Sequence, residues 1–299
     1  MAKKVVYGMP TERSAPTVQY GIAKGYFRDE GIDLSARALH GGPAIAAALN
    51  SGELAFGHLG APPALVAHSR GARFRAVGSG IKRKLHLYLG IHSSIENIEA
   101  LQGGRIGLLS MGSCDEWVGR RMLQTHGLRA GVDVELVPLH DAYERIVELI
   151  AERHIDGALA IEPSMSAGEE EGVLKIWAAA YDEQYLPVFQ WNVLAASDEL
   201  ILNDPGLLKA LLRAYVRCSH AARDNADEFI SFVAVEFRLP LAVARRSVLR
   251  EMSHYEFDCR MDQAGLQKAI ELQASLHALQ RPVTPEEFAD LRYLPGGAG

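Results

Sequence analysis

The residues that could do chemistry in this chain gather at a few turns, and the densest is Ser110-Met111-Gly112-Ser113-Cys114-Asp115-Glu116. An apolar strand pattern precedes it and a helical pattern follows it, so backbone N–H groups, two hydroxyls and a thiol share one helix start. A junction of this kind suits a small anionic or strongly polar ligand. A thiol at a helix N-terminus is also a candidate nucleophile, because the helix dipole favours the thiolate. Cys114 then needs a base, and His58 is the candidate, with His40 and His86 as alternatives. Asp115 and Glu116 oppose that chemistry, since neighbouring negative charge raises a thiol pKa. A small residue fitting an ordinary capped turn would read the same way.

Other candidates stand at the ends of other strand patterns. Arg13 and Ser14 follow the first, and a guanidinium suits a sulfonate, carboxylate or phosphate. His40-Gly41-Gly42 and Gly60-Ala61 follow the second and third, where small residues let backbone approach a ligand. Glu162, before Pro163, is placed to hold an amine or to act as an acid or base, and Trp191 is placed to stack on a ring. A solvated arginine and a core tryptophan are the bland alternatives. The eleven histidines include no HExxH pair and the three cysteines no CxxC pair, so neither a metal site nor a cofactor is expected.

Stepping outward from these turns, the elements that must hold them alternate. Strands are expected at 4–8, 32–39, 54–59, 74–78, 85–91, 104–109, 132–138, 155–161, 173–177 and 188–196. Helices are expected at 16–24, 44–51, 64–69, 95–101, 116–126, 142–153 and 165–171, and then at 207–225, 226–237, 241–252, 263–279 and 285–291. Strand, tight Gly/Pro loop and helix in repetition mean α/β with largely parallel sheets, and ligands of such sheets sit beyond the C-terminal strand ends.

At 299 residues, 48% hydrophobic and 23% charged, the chain fits one or two globular domains. Its net charge of −6, with Lys and Arg dispersed, gives no nucleic-acid surface. No uncharged apolar run of about 18 residues is present, so no membrane span is expected. No apolar signal segment precedes strand 4–8. A cytoplasmic location follows if Met1 is the native start, and a periplasmic or lipid-anchored one if a signal was removed.

Ala23-Lys24-Gly25-Tyr26-Phe27-Arg28-Asp29-Glu30-Gly31-Ile32, then Gly42-Pro43, then Asn50-Ser51-Gly52-Glu53-Leu54-Ala55-Phe56-Gly57 form a recognisable series. Together with Gly60-Ala61-Pro62-Pro63 and Asp156-Gly157-Ala158-Leu159-Ala160-Ile161-Glu162-Pro163 it resembles the type II periplasmic substrate-binding proteins of the sulfonate, nitrate and taurine type. The resemblance implies two α/β lobes, one of residues 1–84 plus 195–299 and one of 85–194, each a mostly parallel sheet flanked by helices. It implies a small organic anion or heterocycle held in the inter-lobe cleft, hinge closure, and an ABC-transporter permease as partner. The alternative is a cytosolic enzyme on the same fold, similar to desulfinases, decarboxylases or the thiamin-pyrimidine synthases, using Cys114 or a cleft histidine. The desulfinases carry their cysteine after the first strand, where this chain has Thr11-Glu12-Arg13-Ser14, and the cysteine-rich run of the pyrimidine synthases is absent.

Overall fold

A computed structural model of the chain describes residues 2–82 and 86–296. The first half runs β1 (Lys3–Met9), α1 (Pro16–Ala23), α2 (Tyr26–Asp29), β2 (Ile32–Ala38), α3 (Gly42–Ser51), β3 (Phe56–Gly60), α4 (Ala61–Ser69), β4 (Phe74–Gly78), β5 (Tyr88–His92), β6 (Arg105–Leu108), α5 (Cys114–Thr125) and β7 (Glu135–Pro138). The second half runs α6 (Ile146–Ala151), β8 (Gly157–Ala160), α7 (Ser164–Glu170), β9 (Leu174–Ala179), β10 (Asn192–Ser197), α8 (Asp198–Asn203), α9 (Pro205–Asp224), α10 (Ala226–Glu236), α11 (Leu241–Met252), α12 (Gln263–Ser275) and α13 (Pro285–Phe288).

Two compact units result. One holds Met1–Lys84, Phe189–Val233 and His254–Gly299, the other Leu85–Val188 and Ala234–Ser253. The first contains a sheet of order β2-β1-β3-β10-β4, the second a sheet of order β7-β6-β8-β5-β9. Each has one reversed strand: β10 pairs antiparallel with β3 and β4, and β5 pairs antiparallel with β8 and β9. The other pairings, β1 with β2 and β3, and β6 with β7 and β8, are parallel. The sheets are therefore mixed, with four of five strands pointing one way in each. The expected lobe boundaries differ from this division at two places. Phe189 to Trp191 lead directly into β10 of the first sheet, and α11 packs on α7 in the second unit.

Local chemistry accounts for most element limits. Asp204 accepts from Leu207 N at 3.1 Å and Pro205 fills the first turn, so α9 starts where a cap and a proline coincide. Its Leu208, Leu211, Leu212, Tyr215 and Cys218 fall on one face and enter the core under the first sheet. The second unit has its own core, from Tyr88 and Ile146 to Met165 and Leu174.

Several expectations need correction. The helix expected at 64–69 begins at Ala61, because Pro62 and Pro63 are accommodated in its first turn. The helix expected at 116–126 begins at Cys114. The strand expected at 132–138 is only β7, and the helix expected at 142–153 opens as a 3-10 turn, His140–Arg145. The 95–101 helix shrinks to a 3-10 turn, Ile98–Leu101, and the last helix to α13. Strand 188–196 is displaced to β10, and the expected strand at 85–91 is β5, its first residue lying outside the described residues.

Candidate functional site

In the first unit β1, β2 and β3 are parallel, so their C-terminal ends share one sheet edge. The loops there carry Arg13, Ser14, His40, Gly41, Gly42, Gly60 and Ala61. The first two loops are tied together: Leu39 N donates to Met9 O at 3.0 Å and Gly41 N to Pro10 O at 3.2 Å. Within the first, Thr11 N donates to Ser14 Oγ at 3.1 Å and Ser14 Oγ to Thr11 O at 2.9 Å, so the serine shapes its own turn. Gly41 holds φ 123°, a left-handed value that favours glycine. A side chain on Gly42 would stand 2.5 Å from Pro63 Cγ, so glycine lets α3 approach the start of α4. Neither α1 nor α3 has a side-chain cap or an acidic residue in its first turn. Their positive dipole ends face the strand-end loops without a carboxylate of their own in that turn.

The start of α4 is different. Pro62 and Pro63 have no N–H, and Ala61 N donates to the Trp191 carbonyl at 2.6 Å. Of the expected Gly60-Ala61 pair, Ala61 therefore has its amide spent within the fold. Trp191 is buried, edge-on to Phe189 at 5.6 Å between ring centroids. Its carbonyl anchors the start of α4. Gln190, 1% exposed, sets this segment: its Nε2 donates to Ser79 Oγ and Asn192 O, both at 2.9 Å, while its Oε1 accepts from Asp262 N at 2.9 Å. Nothing in the sequence marked that glutamine.

His58, expected as a base, is 8% exposed on β3. Its Nδ1 lies 2.9 Å from the Tyr7 hydroxyl and its ring stacks on Tyr7. Burial pushes its pKa down to about 4, so the ring is neutral at pH 7 and a poor proton acceptor. Tyr7 is also hydrogen-bonded to Tyr215 of α9, which makes His58 part of a buried polar chain through the core.

In the second unit the Ser110, Gly112, Ser113 and Cys114 turn lies beyond the C-terminal end of β6, with Gly112 at φ 76°. Several of its donors are engaged locally. Leu109 N donates to Asp115 Oδ2, Gly112 N to Glu116 Oε2 at 2.6 Å, and Ser113 Oγ faces both the Ser110 carbonyl and Asp115 Oδ1. Burial pushes the Asp115 carboxyl up to about 6, against the opposing pull of these hydrogen bonds. Burial first, then the Asp115 charge, raises the Cys114 thiol well above its usual range. The nucleophile expected at Cys114 is therefore held as a thiol; burial, with the Asp115 charge added, outweighs the helix start.

Glu162 stands just beyond β8 and is 4% exposed. Its Oε2 accepts from Ser166 N at 3.0 Å and its Oε1 from Ser166 Oγ at 2.9 Å. Arg250 of α11 pairs with Glu162 and, through Nη2, with Glu169 at 2.8 Å. Glu162 thus fastens α11 to α7, and its carboxylate has partners without any ligand amine. Tyr88 donates to Glu251 Oε1 at 3.2 Å beside this pair. Burial and then the Glu162 charge hold the Glu251 carboxyl well above the carboxylate range. Arg250 and Glu251 were not legible as site residues, since a helical Arg-Glu pair reads as a solvated face.

Among the described residues no group of three His, Cys, Asp or Glu side chains could hold a metal ion. No helix among them is long and apolar enough to cross a membrane.

The sequence profile described as NMT1/THI5 like matches residues 17–229. No curated protein matches the chain in sequence. Among solved structures, the alkanesulfonate-binding protein SsuA from Xanthomonas axonopodis pv. citri, bound to MOPS, is similar with a TM-score of 0.77 at 17% identity, over 97% of this chain and 98% of its own. A protein from Bordetella bronchiseptica RB50 is similar with a TM-score of 0.81 at 22% identity, over 98% and 95%. The desulfurization enzyme DszB in complex with biphenyl-2-sulfinic acid is similar with a TM-score of 0.66 at 17% identity, over 98% of each chain. At these identities the likeness is one of fold, the two-lobed periplasmic-binding-protein fold.

Proposed function

Since the chain belongs to the NMT1/THI5 like family, we propose that it is a substrate-binding protein for a small organic anion of the sulfonate type, which it hands to the permease of an ABC transporter. One observation carries the reading. In the first unit, α1 and α3 begin at the same sheet edge, their loops are tied by backbone hydrogen bonds, and their first turns hold neither a capping side chain nor an acid. That edge carries positive backbone dipole with Arg13, Ser14 and His40 beside it, which is the chemistry that holds a sulfonate or carboxylate. The SsuA neighbours, named for alkanesulfonate and aliphatic sulphonate binding, support the ligand class.

The enzyme alternative through Cys114 draws no support from a thiol held protonated by burial and Asp115. Binding alone requires no proton transfer and no covalent step.

The test is calorimetric titration of the full chain with ethanesulfonate, MOPS and taurine, with ethylamine, a cation at neutral pH, as the control that carries no anionic group. At least one sulfonate binds and ethylamine does not. Arg13→Gln weakens that binding about tenfold, the loss of one charge-assisted contact worth about 1.4 kcal/mol. No heat and no thermal shift with any sulfonate, or binding unaltered in Arg13→Gln, would sink this assignment.

A further inference from the structure

In the loop between β1 and α1, both peptide planes that flank Arg13 are held. In the plane shared by Glu12 and Arg13, the Arg13 N–H donates to Thr11 Oγ1 at 3.4 Å and the Glu12 carbonyl accepts from Gln19 Nε2 at 3.1 Å. In the plane shared by Arg13 and Ser14, the Ser14 N–H donates to Thr11 O at 3.3 Å. A peptide unit is flat, so a bond on its N–H and another on its C=O fix the whole plane. Two fixed planes fix the Cα between them, and with it the direction in which the Arg13 side chain leaves the backbone.

Thr11 and Ser14 belong to this turn, but Gln19 does not. It lies within α1 and reaches back past the helix start to the Glu12 carbonyl. That bond is at an exposed position, where water would serve the carbonyl as well. The other half of the carboxamide is left over: Gln19 Oε1 is buried and has no hydrogen-bond partner among the described residues. A buried acceptor without a partner costs stability, and an unbranched apolar side chain of the same length would leave none. Stability alone therefore does not account for a glutamine here. What the amide adds is a bond on the plane from which Arg13 departs.

We propose that Gln19 is a positioning residue for ligand binding: through the Glu12 carbonyl it pre-sets the direction of Arg13, the residue that meets the anion. The role of Arg13 in this statement rests on the reading of the first unit's strand-end loops given above. A guanidinium whose backbone is already set loses less freedom when the anion arrives, and that difference appears as affinity. The amide does this without placing a carboxylate near an anion.

The experiment uses Gln19→Met in the full chain, a change that keeps length and neutrality and removes the donor. Titration with ethanesulfonate by calorimetry finds binding weakened about fivefold, while the melting temperature without ligand stays the same or rises. In an Arg13→Gln background the same substitution changes affinity by less than about twofold, because the residue it acts through is gone. A merely structural glutamine would lower the melting temperature and weaken binding equally in both backgrounds, and either result overturns the proposal. Unaltered affinity in Gln19→Met overturns it too. Gln19→Ala removes the same donor and serves if the methionine variant does not fold. Absence of sulfonate binding by the native chain is a failure of the anion-binding reading instead. The positioning is then decided by nitrogen-15 relaxation at the Arg13 amide: its order parameter falls in Gln19→Met, and an unchanged value overturns the proposal.

Discussion

Asp115 and Cys114 show how neighbouring residues decide each other's chemistry. A helix start by itself favours a thiolate at Cys114, yet the loss of solvent, and then the carboxylate beside it, reverse the sign. Asp115 itself carries a pH signature. Its folded-state pKa, about 6, lies above the ordinary 3.8. Between those values the folded chain holds a proton that the unfolded chain has released, so this group's contribution to stability falls as pH rises through that window and is constant above it. A displacement of that size corresponds to roughly 2–3 kcal/mol. Asp115→Asn cannot titrate there, so urea unfolding at pH values on either side of the window should show its stability relative to the native chain rising by up to that amount. A pH-independent difference would mean the carboxyl is not buried as described. At the other buried polar pair, Tyr7→Phe leaves His58 Nδ1 without its hydroxyl partner and should cost about 1–3 kcal/mol, read as a lowered midpoint in urea. Sulfonate affinity should be unchanged, because the pair is core rather than ligand contact.

Elements fail or succeed as predictions according to whether their signals are local. Starts with a proline or a capping aspartate, such as α9 at Asp204-Pro205, were placed within two residues. The α4 start lies at Ala61, ahead of the expected Ala64, because Pro62 and Pro63 fit a first helical turn. The role of α11 had no local signal at all. It docks on α7 through Arg250, whose guanidinium serves Glu162 and Glu169 at once. Arg250→Met should leave Glu162 buried without its cation and destabilise the second unit by about 3–5 kcal/mol. The double variant Arg250→Met/Glu162→Gln should be milder, and a double-mutant cycle by far-UV circular dichroism in urea would measure the coupling. Additive effects would mean the clasp is incidental. A further element-level likeness went unread: Leu39-His40 after β2 and Leu139-His140 after β7 both put histidine at positive φ, and both stretches hydrogen-bond back to the adjacent loop.

At the scale of the whole molecule, ligand and fold are coupled by mass action. A sulfonate at a hundred times its dissociation constant adds about 2.7 kcal/mol to the folded state, which for a chain of this size is a rise in melting temperature of about 4 °C. A rise of that order with ethanesulfonate, absent with ethylamine, is the signature of the proposed activity and is read by differential scanning fluorimetry. The two units have separate sheets and separate cores, so each should also show its own sensitivity: Arg250→Met lowers stability through the second, Tyr7→Phe through the first.

Read without coordinates, the residues established an α/β chain, the alternation of strand and helix, the strand-end turns and the family to which they belong. Those properties are written in short-range patterns of apolar period, glycine and proline, which act over a few residues. Tertiary structure decided which of those turns still have something to offer a ligand. Ala61 N–H went to Trp191, Glu162 to Arg250, and the amides before α5 to Asp115 and Glu116. The first two partners lie 130 and 88 positions away along the chain, and even the third depends on a turn geometry that brings a carboxylate back over its own helix start. Whether a polar group is available for binding is a property of its partners and its burial, and these are set only when the chain has folded.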